Sequence, residues 1–463
     1  MGVWEFFLAM TTPQLYKQPG HFSSFRMTVG FALILRRIFS RTEVESKTGF
    51  GVHYPLMKVS FMRIVDRWAG IPLCFLLTWL RAVGLLFSRP KPWSPPRKIL
   101  FLEISEMGSM VLALPLFRKT QELFPDAELY FCTFRHNRPA MDILGVIPES
   151  QVLTIEGKNL AGFVISTWRA LRRLRKLRLD LVVDMELFAR FTAALSLLSG
   201  ARLRAGYFRF HNEGLYRGRL LTHPVAFNPH VHMAHNLLAL IHAASREAKE
   251  LPPQKFPLEK NNLSLPEHQI PETVLASLYS KLRRAGIDPR SGKRIILLNP
   301  NASDLIPLRR WPLENYVELA RRLLDRSPDH LVVITGTAEE RSRTEKLAQS
   351  IGSPRCFNLA GETSLPELLA LYSVSHILVT NDSGPVHFSS LTDIHTVALF
   401  GPETPELYGP LGTNSRVLYA GYACSPCVSA FNHRRSPCTN NRCLQAISVE
   451  QVLEAVLSRL HGD

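Results

Sequence analysis

The feature that most constrains the fold is a repeated alternation of short apolar runs with longer amphipathic stretches. In the first series, the runs Lys98–Ile104, Glu128–Thr133 and Asp180–Asp184 predict buried parallel strands. A Gly-containing turn and a helical stretch, Val111–Phe124, separate the first two runs. Parallel strands need crossover connections, which are usually helices. The sequence therefore predicts strand–helix–strand units and an α/β domain.

A second series of the same kind begins near Arg294. It predicts strands at 295–299, 331–336, 376–382 and 396–400, with helices at Leu313–Asp325 and Leu365–Ser373. The segment 245–290 is rich in Pro, Lys and Glu and suits an interdomain connection. The predicted fold class is α/β, with two Rossmann-like, doubly wound domains facing a cleft. Ligands in such sheets bind beyond the carboxyl ends of the strands.

We expect four segments in the 463 residues, a length that suits two or three domains. Residues 1–60 form a variable extension without sustained periodicity. Residues 61–96 combine an amphipathic membrane-surface segment with a Pro-rich linker. Residues 97–275 are the first Rossmann-like domain, and residues 276–463 are the second, with a cysteine-bearing tail.

The stretch Trp68–Phe87 is the one membrane candidate, because it is about as long as a bilayer span. Arg81 interrupts it, and a central Arg costs roughly 2.5–3.5 kcal/mol on insertion scales. We favour a helix in the interface of the cytoplasmic membrane, where flanking basic residues meet anionic lipid. A true span and a buried helix of the soluble fold stay open.

The formal net charge is +16, which implies an acidic partner: nucleic acid, an anionic membrane surface or a phosphorylated substrate. Composition alone does not choose among them, but no nucleic-acid recognition motif accompanies the charge. The basic helix Arg169–Arg178 is either a solvated face or a contact for anionic lipid or a phosphorylated oligosaccharide.

The seven cysteines fall into two groups. Cys74, Cys132 and Cys356 stand alone in apolar surroundings, and no secretory signal is evident, so we expect a cytoplasmic protein. The others cluster in the tail, with spacings that a structural zinc site could use; they are Cys424, Cys427, Cys438 and Cys443. A disulfide and unligated thiols are the alternatives.

The strongest chemical motif is the run HILVTNDSGPVHFSS, in which a predicted strand passes through a turn into a helix. Asp382 or Ser383 can cap that helix, Gly384 and Pro385 form the turn, and His387 lies one turn in. The positive end of a helix favours a diphosphate, and glycine lets it approach the main chain. A capped helix with a core-facing His fits the bare pattern equally well.

Two other strand ends carry polar side chains. Asn299 ends the first strand of the second series, and Arg309 and Arg310 follow, which suits recognition of phosphate oxygens or two solvated arginines. The turn after the first strand of the chain holds Glu106 and Ser109. A carboxylate there serves as a general base or stabilises a helix start.

These segments resemble glycosyltransferase family 9, the ADP-heptose:lipopolysaccharide heptosyltransferases. The resemblance covers about residues 61–460 and includes the runs GSMVLALPLFRKTQELFPDAEL, NPNASDLIPLRRWPLENYVELARRL and NDSGPVHFSSLTDIHTVALFGPETPELYGPLG, in the family's order. It implies the GT-B fold, in which the first domain binds the acceptor and the second binds the nucleotide sugar. It also implies an inverting transfer of heptose from ADP-heptose to a lipopolysaccharide core or related cell-surface glycan, with no cofactor or catalytic metal.

The resemblance assigns roles to most of the strand-end residues. The expected donor-binding residues are Asn299, Arg309, Arg310, Asp382, Ser383, Gly384, Pro385 and His387. The family commonly has Gly-Asp in the first glycine turn, with that Asp as base, whereas this chain has Gly108-Ser109. Serine at its normal pKa is a poor base. Glu106 is therefore our first candidate base and Glu103 the second.

The expected partners are a nucleotide-sugar donor, an anionic lipid-linked glycan acceptor and the inner face of the cytoplasmic membrane, with no nucleic acid. Two alternatives remain open. One is a glycosyltransferase that uses another nucleotide sugar for surface polysaccharide. The other is a catalytically inactive, membrane-associated protein that binds nucleotide sugars.

Overall fold

The computed structural model describes residues 59–87, 92–210, 214–257, 263, 265–266, 268–431 and 434–460. Residues 1–58 of the expected extension lie outside the described residues. The helices are α1 Val59–Trp68, α2 Gly70–Leu86, α3 Ser109–Leu112, α4 Leu114–Leu123, α5 Arg138–Leu144, α6 Leu160–Leu177, α7 Arg190–Leu198, α8 Met233–Ala244, α9 Glu272–Arg284, α10 Leu313–Arg326, α11 Arg341–Ile351, α12 Leu365–Ser373, α13 Gly384–Ser389, α14 Pro405–Tyr408, α15 Arg442–Gln445 and α16 Val449–Leu460. The strands are β1 Lys98–Leu102, β2 Glu128–Phe134, β3 Val152–Ile155, β4 Leu181–Asp184, β5 Leu203–Tyr207, β6 His223–Val225, β7 Arg294–Asn299, β8 His330–Ile334, β9 Cys356–Asn358, β10 Ile377–Asn381, β11 His395–Phe400 and β12 Ser415–Tyr419.

The strands form two six-stranded parallel sheets. The first has the order β3-β2-β1-β4-β5-β6, and the second has the order β12-β11-β10-β7-β8-β9. Renumbered within its own half, the second order reads 6-5-4-1-2-3, which is the first order seen from the other edge. Both are the Rossmann order, so the predicted α/β fold with two Rossmann-like halves is confirmed.

Each sheet is buried on both faces, as expected for parallel strands joined by helices. β1 is buried from Ile99 to Leu102, and β10 is buried along its length. Side chains alternate along a strand, so Phe101 and Leu100 enter two different hydrophobic clusters on opposite faces of the first sheet. The sequence reads as continuous apolar runs at these strands because both faces are covered.

Element boundaries follow the sequence closely, with one division that it did not predict. The helix at Leu365–Ser373 is confirmed, and Ser364 and Glu367 form a reciprocal capping box at its start. The helix predicted at 111–124 is two helices, which meet at Ala113 with Pro115 in the first turn of the second. Pro is well tolerated at a helix start and poorly tolerated in a helix interior, which explains the division.

The connection between the halves ends earlier than expected. The helix α9 begins at Glu272, so a boundary at 275/276 would cut its first turn. Ser277 donates a hydrogen bond to Glu367 at 2.8 Å, and Lys281 pairs with the same carboxylate at 2.8 Å. These contacts attach α9 to the second half. We propose a domain boundary shortly before Glu272.

The helices α1 and α2 are docked on the first half rather than held apart from it. The Asp66 carboxylate accepts the main-chain N–H groups of Arg190 and Phe191 at 3.0 and 2.9 Å, capping the start of α7. Gly218 permits a close approach to α2, because a Cβ there would lie 2.5 Å from the Thr78 hydroxyl. Only a narrow stripe of α2 is buried, namely Gly70, Cys74 and Leu77.

Candidate functional site

The switch point of each sheet places the candidate site. β1 pairs with β2 on one side and β4 on the other, and β7 lies between β10 and β8. At such a point the connections leave in opposite directions and open a crevice at the carboxyl ends of the strands. The candidate residues follow β1, β7 and β10, so they all lie at the two switch points.

The two switch points meet across the cleft. The glycine turn after β1 lies against the first turn of α13, where a Cβ on Gly108 would stand 3.0 Å from His387 Cδ2 and 3.4 Å from Gly384 Cα. Any larger residue at position 108 would push these segments apart. The absence of a side chain there lets the halves approach closely.

Among the residues that the second half brings to the candidate site, Arg309 is central and ion-paired. Arg309 Nε lies 3.1 Å from an oxygen of Asp382, and its Nη2 lies 3.5 Å from an oxygen of Glu403. Burial raises the pKa of Asp382 against the lowering effect of Arg309. Burial also raises the pKa of Glu403 to about 8, against the lowering effect of Arg309. Arg309 therefore lies between two buried carboxyl groups.

The turn into α13 leaves space for a ligand. Ser383 stands at the N-cap position, but its hydroxyl donates to the Asn381 carbonyl at 3.2 Å and caps no helical N–H. Pro385 follows in the first turn, where its missing N–H costs nothing. No atom of the described structure lies within 4 Å of a Cβ built on Gly384. The main chain is accessible there.

His387 is buried on the same helix. Burial, with the nearby charges of His232 and Arg309, lowers its pKa to about 3, so the imidazole is neutral. Within the described residues, its Nδ1 has no hydrogen-bond partner. A buried ring nitrogen without a partner is costly, and a ligand oxygen or hydroxyl would satisfy it.

Two of the predicted donor residues, Asn299 and Arg310, make hydrogen bonds within the protein. The Asn299 side chain donates to the Thr335 hydroxyl at 3.1 Å and joins β7 to β8. The Arg310 guanidinium donates twice to the Ala302 carbonyl, at 3.0 and 2.6 Å, and pairs with Asp304. Both hold the loop after β7. The sequence could not show which of the two adjacent arginines pairs with Asp382, because they are the same residue type.

Three carboxyl groups meet at the turn after β1: Glu103 and Glu106 belong to the turn, and Glu186 comes from the segment after β4. Glu103 is buried, and burial together with the charges of Glu186 and Glu106 raises its pKa well above the usual range. Glu186 accepts the N–H groups of Ile104 and Ser105 at 2.7 and 2.6 Å and so shapes the turn. The Ser109 hydroxyl donates to the Glu106 carbonyl at 2.9 Å. Glu106 is the most exposed of the three carboxyl groups, with a third of its side chain accessible.

Arg434 completes the site and was missed from sequence. It comes from the cysteine-bearing tail, adopts a left-handed backbone (φ 55°) and forms an ion pair with Glu106. Its Nη2 also donates to the Tyr408 hydroxyl at 3.3 Å. Left-handed backbone at a non-Gly residue is uncommon and concentrates at functional sites. The sequence around Arg434 has no helical or strand periodicity that would have indicated a site residue. Glu403, by contrast, lies shortly after a predicted strand and could have been predicted from the sequence.

In the part of the chain that the structure describes, the tail cysteines do not form the structural metal site that their spacing would allow. Within the described residues, no group of three or more His, Cys, Asp or Glu side chains is arranged to hold a metal ion. None of the seven cysteines forms a disulfide. The Ser436 hydroxyl donates to the Cys427 sulfur at 3.1 Å. The structural zinc and disulfide interpretations of the tail are therefore not supported.

Two facing Rossmann sheets with a strand-end site in the crevice define a protein of the GT-B architecture. The family model described as "Glycosyltransferase family 9 (heptosyltransferase)" matches residues 167–435. The chain belongs to glycosyltransferase family 9.

Known relatives agree with this assignment. Lipopolysaccharide heptosyltransferase 2 of Salmonella typhimurium is 36% identical over 121 residues, which are 25% of this chain and 34% of that protein. The solved structure of E. coli ADP-heptose lps heptosyltransferase II is 23% identical with a TM-score of 0.59, covering 78% of this chain and 98% of that one. The structure of E. coli heptosyltransferase WaaC with ADP is 16% identical with a TM-score of 0.54, covering 78% of this chain and 99% of that one. The sequence match spans about a third of the length of the first curated relatives.

Proposed function

We propose that this chain is an inverting glycosyltransferase that moves heptose from ADP-heptose to a lipopolysaccharide core or related cell-surface glycan. The observation that carries the proposal is the meeting of the Glu106 turn with Arg309, Asp382 and Gly384 across one crevice. The names of the relatives support heptose as the sugar, and the solved relative with ADP supports the nucleotide.

The donor would lie against the second sheet. The open space above Gly384 admits a diphosphate to the main chain, and Arg309 supplies the adjacent positive charge. Asp382 and Glu403 hold the guanidinium in place through contacts at 3.1 and 3.5 Å. As the diphosphate leaves, Arg309 stabilises its growing negative charge.

In the transfer, an acceptor hydroxyl oxygen forms a bond to the anomeric carbon, and the bond from that carbon to the diphosphate oxygen breaks. The hydroxyl proton must pass to a base. Glu106 suits this role because it is partly exposed and faces the crevice. The raised pKa of Glu103 favours its protonated form, which cannot accept a proton. Ser109 would position Glu106 through its hydrogen bond to that residue's carbonyl.

We also propose that the protein lies on the cytoplasmic face of the membrane, where it meets a lipid-linked, anionic acceptor. Among the described residues, the helical stretch Phe61–Leu86 is long and apolar enough to cross a bilayer by length and composition. Arg81, however, donates to the Leu221 carbonyl at 3.1 Å, and α2 packs on α7. A helix held to the protein along one face, with its apolar opposite face exposed, suits the membrane interface.

The test is release of ADP from ADP-heptose by the purified full chain, with heptose-deficient lipopolysaccharide as acceptor and other nucleotide sugars as controls. We expect turnover with ADP-heptose only. Glu106→Gln should lower kcat by about a thousandfold, since base catalysis contributes roughly 10²–10⁴, and leave ADP affinity unchanged. Asp382→Asn should weaken the donor complex and lower kcat/KM about a hundredfold, because it frees Arg309.

A matched control is Asp304→Asn, which removes the same charge from an ion pair with the neighbouring arginine. Asp304 is exposed and lies outside the crevice contacts, so we expect wild-type rates. Absence of ADP release with every acceptor, or wild-type turnover in Glu106→Gln and Asp382→Asn alike, would rule the proposal out.

A further inference from the structure

We propose that the first two turns of α6 dock on an anionic lipid bilayer and, with the exposed faces of α1 and α2, form one membrane face beside the cleft. This inference deepens the proposed membrane association and rests on it. It assigns a second, separate segment of the chain to the bilayer, about a hundred residues after the first.

The exposed face of α6 changes character along the helix. Its first half presents Leu160, Val164, Ile165 and Trp168, with between 49% and 57% of each residue accessible. Its second half presents arginines and a lysine, and the eighteen residues Leu160–Leu177 contain no acidic side chain. Exposed apolar groups clustered on one face mark an interaction surface. Here a basic surface adjoins it directly.

The topology places the apolar half of α6 beside the crevice. α6 follows β3, so its first turn lies at the carboxyl edge of the first sheet, the same edge as the glycine turn. α7 likewise begins at that edge after β4, and α1 caps it through Asp66. The exposed apolar residues of α1 and α6 therefore lie at the edge where an acceptor enters.

The two exposed surfaces are joined by a shared cluster. Phe163 of α6 and Phe191 of α7 pack with ring centroids 5.1 Å apart, and Met62 of α1 packs against the same hydrophobic cluster. Beyond this cluster, α1 and α2 expose Trp68, Trp79 and other large apolar side chains. The shared cluster therefore makes the exposed surfaces of α6 and of α1 neighbours.

Charge identifies the partner of these surfaces as an anionic bilayer. Arg172 stacks over Trp168 with its guanidinium carbon 4.4 Å from the ring centroid, a pairing suited to the headgroup level of a membrane. A second copy of this chain would bring the same cations face to face in a two-fold interface, which is repulsive. Lipid phosphates instead attract the basic half while acyl chains accept the apolar half.

The first experiment measures binding of the full chain to vesicles of phosphatidylglycerol and phosphatidylcholine. Ile165→Ser/Trp168→Ser should lower the partition coefficient about tenfold or more, because two exposed apolar side chains no longer leave water. The matched control Leu251→Ser also removes an exposed large apolar side chain, but outside α1, α2 and α6, and should bind as wild type.

Charge is tested with a second pair of variants. Arg169→Gln/Lys176→Gln should lower binding to phosphatidylglycerol vesicles about tenfold and leave the weak binding to pure phosphatidylcholine unchanged. Arg283→Gln/Arg284→Gln removes two exposed charges from α9 of the second half and should have no effect on either vesicle.

Fluorescence locates the contact. Trp168→Phe keeps the apolar side chain, so binding should persist while part of the quenching by brominated acyl chains is lost. Wild-type binding by Ile165→Ser/Trp168→Ser, unchanged quenching in Trp168→Phe, or a dimer in solution that the double variant abolishes would each overturn the proposal. Vesicle binding needs neither donor nor acceptor, so this outcome is independent of the proposed heptose transfer.

Discussion

Gly384 shows how a single position can indicate a ligand. A Cβ built there meets no atom of the described structure within 4 Å, although the glycine lies at the start of α13 in the middle of the crevice. Glycine there is not required by protein packing. Because this glycine lies at the strand-end crevice, we infer that a ligand approaches its main chain.

We therefore predict that Gly384→Ala leaves the melting temperature unchanged or slightly raised and increases the KM for ADP-heptose roughly tenfold, because the new methyl group occupies the donor's position. Gly84→Ala is the matched control. Position 84 is also helical and has no neighbour within 4 Å of a built Cβ, but it lies in α2, away from the crevice. Steady-state kinetics and thermal unfolding of both variants test this, and equal KM values in the two would argue against a donor at Gly384.

At the scale of single residues, the sequence predicts site residues only where they directly follow a predicted strand. Asp382 and Arg309 come together because β10 and β7 are neighbours, which strand-end reasoning anticipates. Asn299 also lies at a strand end, yet its side-chain amide donates a hydrogen bond to the Thr335 hydroxyl. Which way a side chain turns depends on neighbours from distant segments. A pattern in one stretch of chain does not contain that information.

At the scale of elements, the capping of α7 by Asp66 shows how the first helices are attached to the core. The carboxylate accepts two N–H groups of α7 and pairs with the nearly buried Arg190 at 3.1 Å. We predict that Asp66→Ala destabilises the protein by about 2–3 kcal/mol, the sum of a lost cap and an unpaired arginine. Asp66→Asn should cost about 1 kcal/mol, since its amide oxygen still accepts.

Urea unfolding checks these values against Asp142→Ala. Asp142 forms an i,i+4 pair with Arg138 at 3.3 Å in which both side chains are a third exposed, so its loss should cost below about 0.5 kcal/mol. If Asp66→Ala were as mild as Asp142→Ala, α1 would not depend on this contact for its position.

The elements themselves were largely predictable, because parallel strands buried on both faces read as continuous apolar runs. β1, β7, β10 and β11 begin within one residue of their predicted positions. The division of the helix at Ala113 and the start of α9 were not predicted. Helix ends depend on caps and on packing against other helices, as Ser277 and Glu367 illustrate.

At the scale of the whole molecule, a few contacts hold the two halves together across the crevice. Besides Gly108 against His387, Arg434 of the tail pairs with Glu106 of the first half. His232 also reaches the Gly409 carbonyl at 3.0 Å. Its Nδ1 accepts from Ala234, so the proton must be on Nε2, which donates. The contacts across the crevice therefore involve turns and helices of both halves and the tail.

The Arg434–Glu106 pair couples closure to chemistry, because it ties the candidate base to the donor half. We predict that Arg434→Met lowers kcat roughly tenfold through misplacement of Glu106. Without ligand, the variant should show a larger radius of gyration than the wild type in small-angle scattering. Addition of ADP should reduce this radius. Glu106 is partly exposed and can be hydrated, so the melting temperature should change little. Arg435→Met, an exposed neighbour, should match the wild type. A compact, fully active Arg434→Met would mean that the ion pair neither closes the cleft nor positions the base.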